Sequence, residues 1–195
     1  NNNQIANKAN IALQPVPIYE MNHIIGFTPQ KVSLLFHNKE TFYISYDTVV
    51  QSNEKKQKFY HSGIKCAIDN IILYDEGKRI IITQGKFITF FDTIIDITVT
   101  IETKYKSINI IDVDMTSKYL LVSGNDINDN TDVISIFDIE SEQPSLYISQ
   151  ISGYSIIDMK FDINDTSLLL SCGYRSIRIW NKTSHDCLIG KNIKL

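Results

Sequence analysis

An all-β fold of four successive four-stranded antiparallel sheets, set radially like propeller blades, is predicted by three features of this 195-residue sequence. Short apolar runs follow one another along the chain, separated by polar or glycine-containing turns, and no segment carries a helical stripe. The runs fall into four cycles of about four. An aromatic–polar pair closes the third run in three cycles, at Phe91–Asp92, Phe137–Asp138 and Trp180–Asn181, spaced 46 and then 43 residues apart. That period suits a four-stranded blade. A β-sandwich also spaces its strands regularly, but it gives no reason to repeat strand, turn, strand, aromatic–polar at one interval.

Residues 1–22 show no clean period, and Pro15 and Pro17 would stop a helix, so an extended lead-in or strap is expected there. Residues 23–195 are expected to form the blades. The first, over 24–60, reads KVSLLF, TFYISY, TVVQ and KFY, with Val50–Gln51 where the aromatic–polar pair is due. The second, over 64–102, reads IKCAID and NIILYD, a turn at Glu76–Gly77–Lys78, RIIIT, a turn at Gly85, FITFFD and DITVTIE. The third, over 107–149, reads SINIIDVD, KYLLVSG, a polar loop from Asn125 to Asp132, VISIFD and SLYIS. The fourth, over 155–189, reads SIIDMKF, SLLLSCG, a turn at Tyr174–Arg175, SIRIWN and DCLIG. Ser176–Trp180 alternates polar with apolar, as a half-buried strand does. Proline is rare, which leaves strand interiors free to pair.

Composition narrows the function classes. The formal charge of −3 gives no reason to expect nucleic-acid or anionic-membrane binding. No apolar run approaches the roughly 20 residues of a membrane-spanning helix. Cys66, Cys172 and Cys187 are sparse and far apart, which fits free thiols in a reducing compartment. The N-x-T sites at Asn164 and Asn181 read as polar turn residues. His23, His37, His61 and His185 have no metal-ligand spacing. Asp126, Asn128, Asn130 and Asp132 alternate as in a calcium loop, yet Thr131 and Phe137 stand where such a loop needs Gly and Glu. There is no nucleophile elbow, phosphate loop or dinucleotide fingerprint. No metal, cofactor or catalytic residue is expected, and the chain is not expected to be an enzyme.

The repeated pattern resembles the WD-repeat β-propellers over about Ile24–Ile189. Trp180–Asn181 stands where that family has its Trp-Asp pair, and Phe91–Asp92 and Phe137–Asp138 are conservative versions of it. His61 matches the family's Gly-His position, with Tyr60 in place of Gly. The family builds a buried network from a His, a Ser or Thr, an Asp and the Trp; the Asp is missing before SIRIW, so a partial network is expected. Ile25–Gly26–Phe27, Thr48–Val49–Val50 and His61 are similar to the opening blade of cilia- and flagella-associated WD-repeat proteins, related to the microtubule-associated-protein-like group. That resemblance implies a non-catalytic scaffold within a large ciliary, axonemal or other microtubule assembly. Protein partners, tubulin among them, and a cytoplasmic, cytoskeletal location go with it. An adaptor in another cytosolic or nuclear complex is the alternative, and an enzyme on a propeller scaffold the third reading.

A propeller exposes its second-to-third-strand turns and its inter-blade linkers on one face. The expected partner-binding rim is therefore Tyr46, Asp47, His61, Asp126, Asp129, Asp132, Tyr154, Tyr174 and Arg175, with Gly85 and Asn125 alongside. Lys55, Lys56 and Lys58 form a basic cluster that reads first as a solvated loop, with contact to an acidic surface as the alternative. Four blades use up the sequence, and an open arc leaves unpaired edges. The chain is therefore expected to be part of a larger propeller.

Overall fold

The computed structural model describes residues 34–128, 131–183 and 187–193. All regular structure in it is β, in four antiparallel sheets of four strands, each with its strands in chain order. The first sheet holds β1 (Leu34–His37), β2 (Glu40–Ser45), β3 (Thr48–Ser52) and β4 (Gln57–His61). The second holds β5 (Asn70–Tyr74), β6 (Arg79–Gln84), β7 (Phe87–Asp92) and β8 (Ile97–Glu102). In the third are β9 (Tyr105–Val113), β10 (Tyr119–Asp126), β11 (Asp132–Asp138) and β12 (Ser145–Ile151). The fourth has β13 (Ile156–Phe161), β14 (Leu168–Gly173), β15 (Ser176–Lys182) and β16 (Leu188–Asn192). This is a four-bladed stretch of β-propeller: the first strands β5, β9 and β13 pack side by side, while the fourth strands β8, β12 and β16 are largely exposed.

The burial pattern explains the sequence texture. The middle strands of the second and third sheets are covered on both faces, by the blade before and the blade after. RIIITQ and YLLVSG are therefore nearly continuous apolar runs instead of alternating ones. Three cores lie between successive sheets. Phe42, Val49 and Tyr60 of the first meet Ile80, Ile82 and Phe91 of the second. Ile81, Ile88 and Phe90 meet Leu120, Val122 and Phe137 of the third. Leu121, Ile134 and Ile136 meet Met159, Leu169 and Trp180 of the fourth.

The signature aromatics thus share one environment. Phe91, Phe137 and Trp180 each lie on the third strand of their sheet and face the preceding blade. Each pairs with the second residue of the second strand: Ile80, Leu120 and Leu169. In the first sheet that register falls on Thr41 and Ser52, so Ser52, not Val50, occupies the equivalent position. The polar residue that follows caps the next turn. Asp92 accepts the Ile94 and Ile95 N–H groups at 3.0 and 3.1 Å, and Asp138 accepts that of Glu140 at 3.0 Å. Burial pushes the Asp92 carboxyl up, but those two N–H groups and Arg79, 3.3 Å away, hold it below its ordinary value.

One expected strand does not form. IKCAID is a linker between blades, held by the Gln84 side chain, which donates to the carbonyls of Ile64 and Cys66 at 3.1 and 2.6 Å. The lead-in over 1–22 and Ile25–Gly26–Phe27 lie outside the described residues.

Candidate binding rim

Strand direction alternates within each sheet, so the second-to-third-strand turns and the inter-blade linkers open on the same face. Hydrogen bonds tie the two sets together. Tyr46 O accepts from Ile68 N at 2.8 Å, and Gly85 N donates to the Asp69 carboxylate at 2.7 Å. Lys86 O accepts from Thr103 N at 3.0 Å, Lys104 O from Ile127 N at 3.2 Å, and Asp132 O from Ser152 N at 2.8 Å. The turns of the first three blades are therefore latched to the linker leading into the next blade.

Three of the turns have two residues, Tyr46–Asp47, Gly85–Lys86 and Tyr174–Arg175. Gly85 takes a left-handed φ of 59° at no steric cost. Tyr46 and Arg175 hold φ of 54° and 56° with side chains in place, which costs about 1 kcal/mol or more each. Both turns present their side chains to solvent. Tyr46 is 51% and Tyr174 77% exposed, and the Arg175 guanidinium lies 5.1 Å from the Tyr174 ring centre. Left-handed φ values also occur in turns of the opposite face, at Asn38, Lys39, Asp75, Glu76, Asp96 and Ser117. Strain by itself therefore does not mark the rim; exposed aromatic and guanidinium groups do.

The other rim residues are engaged in the fold to differing degrees. Asp132 is tied on both oxygens: Asn125 Nδ2 donates to Oδ1 and Ile156 N to Oδ2, each at 2.7 Å. Asp126 caps its own turn through Asn128 N at 2.7 Å. Asp47 accepts from the Thr48 hydroxyl at 3.0 Å, and the same hydroxyl lies 3.0 Å from Nδ1 of exposed His61. Tyr154 is half-buried, stacked on Trp180 at 6.4 Å, with its hydroxyl bonded to Ser171. Asp129 lies outside the described residues. Lys55 and Lys56 occupy the β3–β4 turn, on the opposite face, and Lys58 pairs with Asp96 at 3.2 Å.

Beneath the rim are small hydroxyl networks in the third and fourth blades. The Trp180 indole N–H donates to Ser171 Oγ at 2.6 Å, so half-buried Tyr154 and buried Ser171 and Trp180 form one hydrogen-bonded unit. In the third blade Tyr105 donates to Ser135 Oγ at 2.6 Å, and Ser135 Oγ lies 3.1 Å from that of Ser149. Burial pushes the Tyr105 phenol well above its ordinary value, so it stays a donor. The linker dipeptides Ser62–Gly63 and Ser152–Gly153 repeat the same geometry. Each serine Oγ accepts the N–H two residues on, at 3.0 and 3.2 Å, and each glycine has a positive φ. Among the described residues no group of three or more His, Cys, Asp or Glu is placed to hold a metal ion.

No family model matches the chain, and no curated protein matches it in sequence. Solved structures do match it in fold. A candidate 6-phosphogluconolactonase of Bacteroides fragilis aligns with TM-score 0.63 and 15% identity over 84% of this chain and 54% of its own. One of Bacteroides uniformis gives TM-score 0.65 and 15% identity over 86% and 58%. A chain of the Mitotic Checkpoint Complex gives 0.65 and 11% identity over 82% and 50%. At such identities the likeness is one of fold. The chain spans about half the length of these structures.

Proposed function

We propose that this propeller is a non-catalytic protein-binding platform whose contact surface is the rim centred on Tyr46, Tyr174 and Arg175. The observation that carries the reading is the outward display of two tyrosines and an arginine on two-residue hairpin turns, the Tyr46 turn being latched to the linker into the next blade. Tyrosine and arginine dominate interface hot spots, and a backbone already held in place loses little entropy on binding. The presence of a chain of a protein complex among the structural matches is in keeping with it. The narrower proposal is a cytoplasmic, cytoskeletal role in a microtubule-based assembly such as the axoneme. It rests on Thr48–Val49–Val50 and His61, which are similar to the opening blade of ciliary WD-repeat proteins.

Co-sedimentation with taxol-stabilised microtubules, in parallel with affinity capture from ciliated cells, tests both levels. The platform reading expects capture of a partner that the triple variant Tyr46→Ala, Tyr174→Ala, Arg175→Ala loses by at least about tenfold, since truncating a hot spot costs about 1–2 kcal/mol or more. Rim-dependent binding to another complex, without microtubules, replaces the narrower proposal with the adaptor reading. Hydrolysis of 6-phosphogluconolactone by this chain, or binding indifferent to the three substitutions, overturns the platform reading.

A further inference from the structure

The trailing face of the fourth sheet breaks a rule that the other three sheets obey. The third residue of each second strand points toward the following blade: Phe42, Ile81, Leu121 and Leu170. The first three are 0% exposed, whereas Leu170 is 48% exposed. Its cross-strand partner Ile179 is 42% exposed, while the equivalent Ile136, paired with Leu121, is 0% exposed. Leu168, Cys172 and Ile177 share that face by register and are half-buried, and Ile189, opposite Asn181, is 61% exposed. The opposite face of the same sheet, carrying Leu169 and Trp180, is fully packed against the third blade.

The geometry points to a single occupant: a further four-stranded blade, carried by the same polypeptide, seated on Leu170, Ile177 and Ile179. Repetition argues for a blade. At each internal junction, aliphatic side chains of one sheet meet the next sheet's second and third strands, with an aromatic at the end of the third, as Phe137 meets Ile81 and Trp180 meets Leu121. The bare face presents the same aliphatic set in the same register, so the complementary surface is one with an aromatic at that place. The source follows from the structural matches, in which a single chain carries about as much length again. An isolated apolar sheet face of this kind is otherwise an aggregation liability.

Cys172 lies on this face and its thiol is free, so it reports directly on coverage. In a Cys66→Ser, Cys187→Ser background, maleimide labelling of Cys172 is compared between the 195-residue chain and one extended by the next ~45 residues of its own reading frame, about one blade. Seating of the blade is expected to slow labelling on the order of tenfold or more in the extended chain, independent of protein concentration. Leu170→Asp is expected to restore fast labelling there while leaving the far-ultraviolet circular dichroism of the 195-residue chain unchanged. Equal labelling of both chains overturns the inference. So does a reading frame that stops after Leu195. Protection of the 195-residue chain that rises with its concentration, together with a dimer mass in sedimentation, overturns it in favour of a second copy.

Discussion

Replacing Ser171 by alanine removes the group on which the fourth blade's polar network converges. Ser171 Oγ accepts the Trp180 indole N–H at 2.6 Å and bonds the Tyr154 hydroxyl. Ser171 and Trp180 are almost wholly buried, so the orphaned indole has no water to turn to. An unsatisfied buried donor costs about 1–3 kcal/mol, and the half-buried Tyr154 hydroxyl adds a fraction of that. A total of about 2–3 kcal/mol is expected, a fall in Tm of about 5–10 °C for a chain of this size. The double-mutant cycle with Trp180→Phe isolates the hydrogen bond from the packing. With no indole N–H left to orphan, Ser171→Ala should cost about 1 kcal/mol, a coupling of about 1–2 kcal/mol. Urea unfolding followed by far-ultraviolet circular dichroism measures all four proteins, since Trp180 is the only tryptophan and fluorescence fails in half of them. Equal costs of Ser171→Ala in the two backgrounds would refute the reasoning.

Three further outcomes are expected. Gly190→Ala puts a methyl 2.7 Å from Cε3 and Cζ3 of the Trp180 ring; a loss of about 1–3 kcal/mol and a shifted tryptophan emission are expected, and an unchanged spectrum would contradict the contact. Tyr105 titrates above its ordinary value of 10.0 because burial disfavours its charged form. The stability it contributes is whole below pH ~10 and is lost as pH rises from there toward its folded pKa, so Tyr105→Phe should cost about 1 kcal/mol at pH 7 yet flatten the alkaline fall in urea midpoint. Asp132→Ala strips the partners of Ile156 N and Asn125 Nδ2; about 1–2 kcal/mol and faster exchange of the Ile156 amide are expected, whereas Asp126→Ala, affecting one exposed turn, should leave that amide alone.

Much of the strand plan could be read from the sequence because blade strands are short, ordered by chain position and punctuated by turns. Phe91, Phe137 and Trp180 were visible because one packing requirement repeats at one interval. What escaped depends on partners far away in sequence. Tyr154 reads as a rim residue until Ser171, 17 residues on, takes its hydroxyl. Asp132 reads as a free carboxylate until Ile156 comes within reach, 24 residues later. IKCAID has the composition of a strand, and only the Gln84 amide reveals it as a linker. Ser-Gly marks linkers at 62–63 and 152–153 but also occurs inside β10 at 123–124, so the dipeptide alone does not tell a linker from a strand.

Because the turns of the first three blades are fastened to the linkers of their successors, neighbouring sheets hold one another in place. Loosening should therefore travel along the row from whichever member lacks a neighbour. In the 195-residue chain, amide exchange in β13–β16, bare around Leu170, should precede that in β5–β8, a sheet packed on both faces.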